Sequence, residues 1–201
     1  MPLPSSPSSV RVAILDTETT GLYPASDRII EIAVILVRAD PDTGEVLEEL
    51  GRYAALQDPG FPMPWMAYAV HGISDAMVKD QAIDATAVRA LLGQADLVVA
   101  HNAGFDKGFV AQVLPEAPEL LWACSCRGIP WRRHFPVFNA KLQDLARHFR
   151  IQGSAAHRAL GDVETTLALL ATQLPDQGRT ALGHLIAKKL PAKSRIAATE
   201  S

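Results

Sequence analysis

The sequence contains only two cysteines, Cys124 and Cys126, which a single serine separates in the segment LWACSC. This spacing fits neither a zinc ribbon nor a CxxC redox motif, so both kinds of site are excluded for these thiols. On a strand the two side chains would share one face, and we expect buried free thiols. Free thiols fit a reducing compartment, which favours a cytoplasmic location.

Long hydrophobic runs are also lacking. No apolar stretch approaches the roughly 20 residues that a membrane-spanning helix requires, and we expect no membrane partner. The first nine residues, MPLPSSPSS, contain neither a basic nor an apolar segment, which argues against a secretory signal. Their proline and serine content predicts a disordered arm over residues 1–9.

An excess of positive charge is the third absence. The 19 Lys and Arg residues are outnumbered by 22 Asp and Glu residues, giving a formal net charge of -3. This balance excludes a broad basic surface for nucleic acid, but it leaves room for a local groove in which metal ions meet phosphates. With 201 residues and 48% hydrophobic content, we expect one globular domain over residues 10–190 and a loose tail over residues 191–201.

Hydrophobic patterning predicts three strands in the first third of the chain, which would form an antiparallel meander. Further on, short strands alternate with helices, and this order indicates an α/β fold with a mixed sheet and helices on its faces. The predicted strands cover residues 10–15, 28–39, 45–56, about 95–100 and 119–125. The predicted helices cover residues 65–70, a short segment after Ser74, and residues 84–92 (with Asp84 as N-cap), 105–114, 139–149, 157–174 and about 179–190.

Two acids interrupt the first strand at its end. In ILDTETTGLYP, Asp16 and Glu18 are two residues apart, so their side chains point to the same face. Two close carboxylates raise each other's pKa, and a hard divalent cation such as Mg²⁺ would relieve the repulsion. The alternative is a solvated strand end that runs into a turn.

Two further acids recur at similar places. Asp106 follows the strand near residues 95–100, and Asp162 lies early in the strongly apolar helix near the end of the chain. Asp106 also suits a helix N-cap, and Asp162 also suits the positive end of the helix macrodipole. One shared site with Asp16 and Glu18 explains all four positions together, and we therefore predict a carboxylate cluster.

His157 precedes Asp162 by five residues, a spacing that places the two about 140° apart on a helix. We therefore expect His157 in the loop QGSAAH ahead of the helix, from which its ring can reach the site. A histidine with a pKa near neutrality suits a general base. The alternative is an ordinary surface residue, which is our interpretation of most of the other five histidines, with His71 as the exception.

Three segments resemble the exonuclease motifs of the DEDDh 3'-5' exonucleases, a ribonuclease-H-like family that includes exonuclease X and the proofreading subunit of bacterial DNA polymerase III. They are DTETTG (16–21), AHNAGFD (100–106) and HRALGD (157–162), and the resemblance spans roughly residues 10–175. A tyrosine replaces the histidine in a sister subgroup, which this chain does not match. The segments RIIEIA (28–33), AVHGI (69–73) and AKLQDLARHF (140–149) are similar to family segments in the same order, and MPWMAYAVHGISDAMV leans towards exonuclease X.

The resemblance implies a ribonuclease-H-like fold, with a five-stranded mixed sheet and helices on both faces. It also implies two divalent metal ions, Mg²⁺ or Mn²⁺. Asp16 would bridge them, Glu18 and Asp162 would complete the tighter site, and Asp106 would act directly or through water. One metal would activate a water, His157 would take its proton, and the product would be a nucleoside 5'-monophosphate.

The family also suggests which residues contact the terminal nucleotide. Backbone and side chains at Thr19, Gly21, Leu22 and His71 would hold it, with Ile73 and Phe105 as apolar or stacking surfaces that tolerate any base. Plain core packing is the alternative for Leu22, Ile73 and Phe105. The basic segments RGIPWRRH (127–134) and KKLPAKSR (188–195) would touch the phosphate backbone or simply aid solubility.

The expected substrate is the 3' end of single-stranded DNA, with RNA trimming as an alternative inside the same class. A non-catalytic nucleic-acid-binding module on the same fold is the alternative from another class. The loss of an acid or of His157 would favour the binding module, and neither loss occurs. A polymerase or repair protein as partner stays an open alternative.

Overall fold

A computed structural model describes residues 9–152, 157–175 and 177–190 of the chain. Within these ranges the core is a five-stranded sheet with the order β3-β2-β1-β4-β5. The strands are β1 (Val10–Thr19), β2 (Ile29–Ala39), β3 (Val46–Leu56), β4 (Leu97–Ala100) and β5 (Trp122–Cys124). The predicted arm lies outside the described residues except for Ser9. The predicted tail over residues 191–201 also lies outside them.

The sheet is mixed, as the sequence predicts. Strands β1, β2 and β3 form an antiparallel meander, whereas β4 and β5 run parallel to β1. β1 lies at the centre and continues four residues beyond the predicted end at Leu15, because Asp16 to Glu18 keep their pairing with β2. The register shifts between Glu18 and Thr19, where the strand ends.

Alternation along β1 divides the core between the two faces of the sheet. Val12 and Ile14 pack into a cluster with the helices near the end of the chain, and Ala13 and Leu15 pack into a second cluster on the other face. Each of these aliphatic side chains is at most 1% exposed, and burying one as large as Ile14 contributes about 1.5 to 3 kcal/mol. The two clusters confirm the α/β fold with helices on both faces.

The helices cover both faces of this sheet. α3 (Ala85–Leu92) and α4 (Ala103–Val110) pack on one face, and α8 (Ala159–Leu170) and α9 (Ala181–Lys189) pack on the other. The remaining helices are α1 (Trp65–His71), α2 (Asp75–Val78), a 3-10 turn (Ala117–Glu119), α5 (Ser125–Gly128), α6 (Trp131–His134) and α7 (Leu142–His148). None of the helices in the described ranges is long and apolar enough to cross a membrane.

Several predicted boundaries were wrong. α8 begins at Ala159 because His157 has a left-handed φ of 59° and Arg158 is extended. Beyond α8, β6 (Gln173–Leu174) and β7 (Arg179–Thr180) pair with each other, so the helix ends before the predicted residue 174. β5 covers only three of the seven predicted residues.

The expectation for the two cysteines was also partly wrong. Both are free, as predicted, but they are partly exposed rather than buried. They do not share a strand face, since β5 ends at Cys124 and the chain turns into α5 at Ser125. The two sulfur atoms lie 3.4 Å apart in a thiol hydrogen bond.

Candidate active site

The end of β1 carries two acids towards α8. Asp16 and Glu18 follow Ile14 on the same face of the strand, and Ile14 belongs to the core cluster that includes Val163 of α8. In the register with β2, Asp16 lies opposite Ala33 and Glu18 lies opposite Glu31. The strand therefore holds both carboxylates at the surface against which α8 packs.

α8 brings a third acid to the same place. Asp162 lies in the first turn of α8 and is only 7% exposed. Its Oδ1 accepts a 2.9 Å hydrogen bond from the side chain of Gln143 in α7, and the His157 backbone also hydrogen-bonds to this carboxylate. Asp16, Glu18 and Asp162 each offer one oxygen atom, and these three atoms lie within 4.8 Å of one another.

Asp106 approaches from the opposite side of the sheet. It lies in the first turn of α4 and is 2% exposed, and the N-cap position of that helix is Asn102. The N-cap alternative for Asp106 was therefore wrong. Its Oδ1 accepts hydrogen bonds from the Thr17 backbone N–H at 3.1 Å and the Thr17 hydroxyl at 3.0 Å. Asp106 lies outside the three-oxygen group but close enough to raise the pKa of Asp16.

The site is strongly acidic and partly dehydrated. Burial, followed by the charges of Asp106, Glu18 and Asp162, raises the pKa of Asp16 well above its ordinary value. Burial and the neighbouring acids raise the pKa of Glu18 to about 8, and burial raises the pKa of Asp106 to about 7 against the Thr17 hydrogen bonds. Carboxylates that repel one another in this way are a favourable ligand set for a hard cation.

His157 lies at the edge of this cluster, immediately before α8. Its side chain is exposed. Burial raises the pKa of Asp162, and the neighbouring His157 offsets only part of this shift. Residues 153–156 of the predicted loop QGSAAH lie outside the described residues. The placement of His157 ahead of the helix agrees with the position that the H-x4-D spacing predicts.

The nucleotide-contact residues divide into two groups. Ile73 is fully buried beside Ile30 and Val78, so its side chain packs in the core, as the packing alternative predicts, and its contact with a nucleotide stays a prediction. Phe105 is half-buried and packs against Phe109, with ring centroids 4.9 Å apart.

The second group lies near the end of β1. Leu22 is 71% exposed, which makes core packing wrong for this residue. The Thr19 hydroxyl donates a hydrogen bond to the carbonyl of Gly21 at 2.5 Å, which shapes the turn that presents Leu22. Leu22 is therefore open to a ligand, whereas Thr19 is only 8% exposed.

His71 has one ring nitrogen without a partner. Its Nδ1 accepts a 2.9 Å hydrogen bond from the Ile73 backbone N–H, and the residue is 6% exposed. Burial lowers the pKa of His71, while the backbone of Thr19 opposes this shift. Because Nδ1 accepts from Ile73, the ring proton lies on Nε2, and among the described residues this buried atom has no acceptor with hydrogen-bond geometry, although the Thr19 backbone is near enough to act on the pKa.

The basic segments have different positions. In residues 127–134, Arg127 hydrogen-bonds to the side chain of Asn102 next to α4, and Arg132 and Arg133 are exposed. In the second segment, Lys188 and Lys189 are exposed at the end of α9. Residues 191–195 of this segment lie outside the described residues.

Sequence reasoning missed a fifth acid. Glu31 is 5% exposed on β2 and adds to the raised pKa of Glu18. The side chain of Arg158 pairs with it at 2.6 Å. The available signal in the sequence was that Glu31 is the only acid in strand β2. Its pairing with Arg158 could not be predicted, because that pairing depends on how α8 packs against β2.

Comparison with known proteins matches the part of the chain that contains the candidate site. The family profile RNase_T, described as exonuclease, matches residues 13–170, from β1 through α8. The PolC-type DNA polymerase III of Bacillus subtilis is 33% identical over 171 residues, which cover 81% of this chain and 11% of that protein. The 3'-5' exonuclease DinG of the same organism is 34% identical over 163 residues, covering 78% of this chain and 17% of that protein.

Among solved structures, exonuclease X in complex with 5' overhanging duplex DNA aligns with a TM-score of 0.60 and 28% identity. The alignment covers 94% of this chain and 99% of that chain. The match to this compact enzyme thus extends over nearly all of both chains, whereas the chain spans 11% and 17% of the PolC and DinG proteins.

Proposed function

Because the chain belongs to the RNase_T exonuclease family, the DEDDh 3'-5' exonucleases, we propose that it is a metal-dependent exonuclease acting on single-stranded DNA. It would remove nucleotides from the 3' end and release nucleoside 5'-monophosphates. The observation that carries this proposal is the group of three carboxylate oxygens within 4.8 Å at the end of β1.

The donor set fits divalent magnesium or manganese. Asp16, Glu18 and Asp162 offer only oxygen atoms, which these hard cations prefer over sulfur or nitrogen. Asp106 adds a further buried carboxylate nearby, so the set has enough charge for two ions. When bound, such ions lower the pKa of a coordinated water and stabilise the charge that develops on the leaving oxygen.

His157 would accept the proton of the attacking water. Its ring is exposed, and His157 lies two residues before the start of α8, in whose first turn Asp162 lies. A general base needs a pKa near the working pH and access to the proton it removes. The exposed imidazole of His157 beside the carboxylates has the required access.

His71 and the turn after β1 would orient the terminal nucleotide. The unpartnered Nε2–H of His71 is a donor next to Thr19, and a buried donor gains from any acceptor that a ligand provides. Leu22 and Tyr23 are 71% and 69% exposed beyond this turn. They offer apolar area on which bases can stack without a sequence preference.

DNA is favoured over RNA by the relatives. Exonuclease X was solved with duplex DNA that carries a 5' overhang, and PolC is a DNA polymerase. The test is digestion of end-labelled single-stranded DNA and RNA side by side, with Mg²⁺ and with Mn²⁺. We expect mononucleotides from the 3' end, faster with DNA, and no hydrolysis in EDTA.

Two variants serve as controls. Asp16→Ala should be inactive, whereas Glu116→Gln, which breaks the exposed ion pair with Arg89, should be as active as the wild type. Faster digestion of RNA would assign the RNA-trimming function instead. Binding of DNA without hydrolysis in both Mg²⁺ and Mn²⁺ would identify a non-catalytic module.

A further inference from the structure

A partly buried ion pair joins β2 to the start of α8, next to the candidate active site. Glu31 on β2 is 5% exposed, and Arg158 contacts it from the segment that precedes α8. Both oxygens of Glu31 accept from the Arg158 Nε, at 3.2 and 3.1 Å, and one accepts from Nη2 at 2.6 Å. This fork fixes the orientation of the guanidinium as well as its position.

Glu31 also holds the backbone of α8. Its Oε2 accepts a 2.9 Å hydrogen bond from the backbone N–H of Ala159, the first residue of that helix. One carboxylate therefore binds the side chain of Arg158 and the free N–H group of the next residue. The first N–H groups of a helix have no partner within the helix, and a carboxylate is favoured there.

The residue before this anchor is His157. It has a left-handed φ of 59°, a conformation that costs a non-glycine residue about 1 to 3 kcal/mol and persists only where the surroundings hold it. The contacts of Arg158 and Ala159 with Glu31 provide such a constraint on the following residues. Glu31 itself lies opposite Glu18 in the register of β1 and β2.

We propose that Glu31 is a positioning residue, which sets the place of His157 relative to the carboxylates of β1 through Arg158 and the start of α8. The role rests on the proposed function, since it assumes that His157 is the base. Glu31 acts on the rate through His157 and does not bind metal, because both of its oxygens are engaged with Arg158 and Ala159. Asp162 keeps a separate support in Gln143.

A double-mutant cycle tests this coupling. Glu31→Gln preserves shape and removes the charge that holds the guanidinium, and we expect single-turnover hydrolysis of single-stranded DNA to slow about 10- to 100-fold, as for other supporting residues. KM should stay near the wild-type value. In the His157→Ala background the same change should cost less than about twofold, because the residue that it positions is gone.

A second readout does not depend on activity. The imidazole NMR signals of His157 in the metal-free protein should report one environment in the wild type and move towards those of a free histidine in Glu31→Gln. Glu116→Gln, which breaks the exposed Arg89 pair, should change neither the rate nor these signals. Arg158→Lys keeps the positive charge and the Ala159 contact but loses the paired guanidinium hydrogen bonds to Glu31. It therefore tests the same positioning role if Glu31→Gln does not fold.

Other outcomes distinguish a failure of the positioning role of Glu31 from a failure of the proposed function. An active wild type in which Glu31→Gln is equally fast, or in which its effect is undiminished by His157→Ala, would overturn the positioning role alone. Unchanged His157 signals in both Glu31→Gln and Arg158→Lys would do the same. A wild type that hydrolyses neither DNA nor RNA would overturn the proposed function itself.

Discussion

At the scale of single residues, Asp16 lies among other acids that repel its charge. Four other acids raise its pKa in addition to burial. We predict that Asp16→Ala abolishes hydrolysis and leaves the metal-free protein as stable as the wild type or more stable, because the substitution removes repulsion. Hydrolysis of labelled DNA and thermal unfolding in EDTA measure the two effects.

Glu48→Ala is the matched comparison for Asp16→Ala, since Glu48 on β3 forms an exposed pair with Arg38 on β2. It should change neither property. An Asp16→Ala protein that is unfolded after purification would show that Asp16 supports the fold and would contradict its assignment to the metal site.

His157 is the second residue whose role is tested individually. If it is the base, His157→Ala should slow the chemical step about 10²- to 10⁴-fold and leave metal binding nearly unchanged, because the acids remain. The decisive measurement is single-turnover hydrolysis at saturating metal and substrate. A variant within about twofold of the wild type, far below the loss typical of a missing base, would remove His157 from the mechanism.

At the scale of elements, α3 shows how a local signal fixes a boundary. The Asp84 side chain accepts hydrogen bonds from the backbone N–H groups of Thr86 and Ala87, at 2.8 and 3.3 Å. We predict that Asp84→Ala lowers the free energy of unfolding by about 1 kcal/mol, measured by urea denaturation. Asp84→Asn keeps an acceptor at the cap and should restore most of the loss, and no difference between the two variants would argue against capping.

Patterns within one element and the pairing of consecutive strands were predictable from the sequence, whereas individual side-chain contacts between distant elements were not. The Asp84 cap, the meander of β1 to β3 and the position of His157 ahead of α8 follow from local alternation and spacing. Some elements are too short to show a hydrophobic period in the sequence. They are α5 and α6, of four residues each, and β6 and β7, of two residues each.

The candidate site divides in the same way. Its acids stand out as polar residues after apolar runs, whereas the Glu31–Arg158 pair joins residues that are 127 positions apart and depends on how α8 meets β2. The burial of Ile73 likewise depends on its neighbours Ile30 and Val78 rather than on its own segment.

At the scale of the whole molecule, a metal that binds only the native state should stabilise it. We predict that Mg²⁺ or Mn²⁺ raises the melting temperature, increasingly with concentration, and that the Asp16→Ala, Asp162→Ala double variant loses this response. Thermal unfolding across a metal titration provides the measurement. An equal shift in the double variant would place the metal elsewhere on the protein.

The raised pKa values make metal-free stability depend on pH. The pKa of Glu18 rises from its ordinary 4.5 to about 8 in the folded protein, so the native state holds more protons than the unfolded state between these values. Stability should therefore fall as the pH rises from about 4.5 to about 8. Urea denaturation in EDTA should show this fall, and Glu18→Gln should flatten it, whereas equal slopes would contradict the assigned shift.

The ligands of the cluster come from distant parts of the chain, and this affects the order of events during synthesis. Asp16 lies in the central strand and Asp162 in α8, so no short stretch of the polypeptide contains the set. A ribosome has produced most of the domain before residue 162 emerges, at about 5 to 20 residues per second. The nascent protein therefore cannot bring the three carboxylates together until α8 docks on the finished sheet.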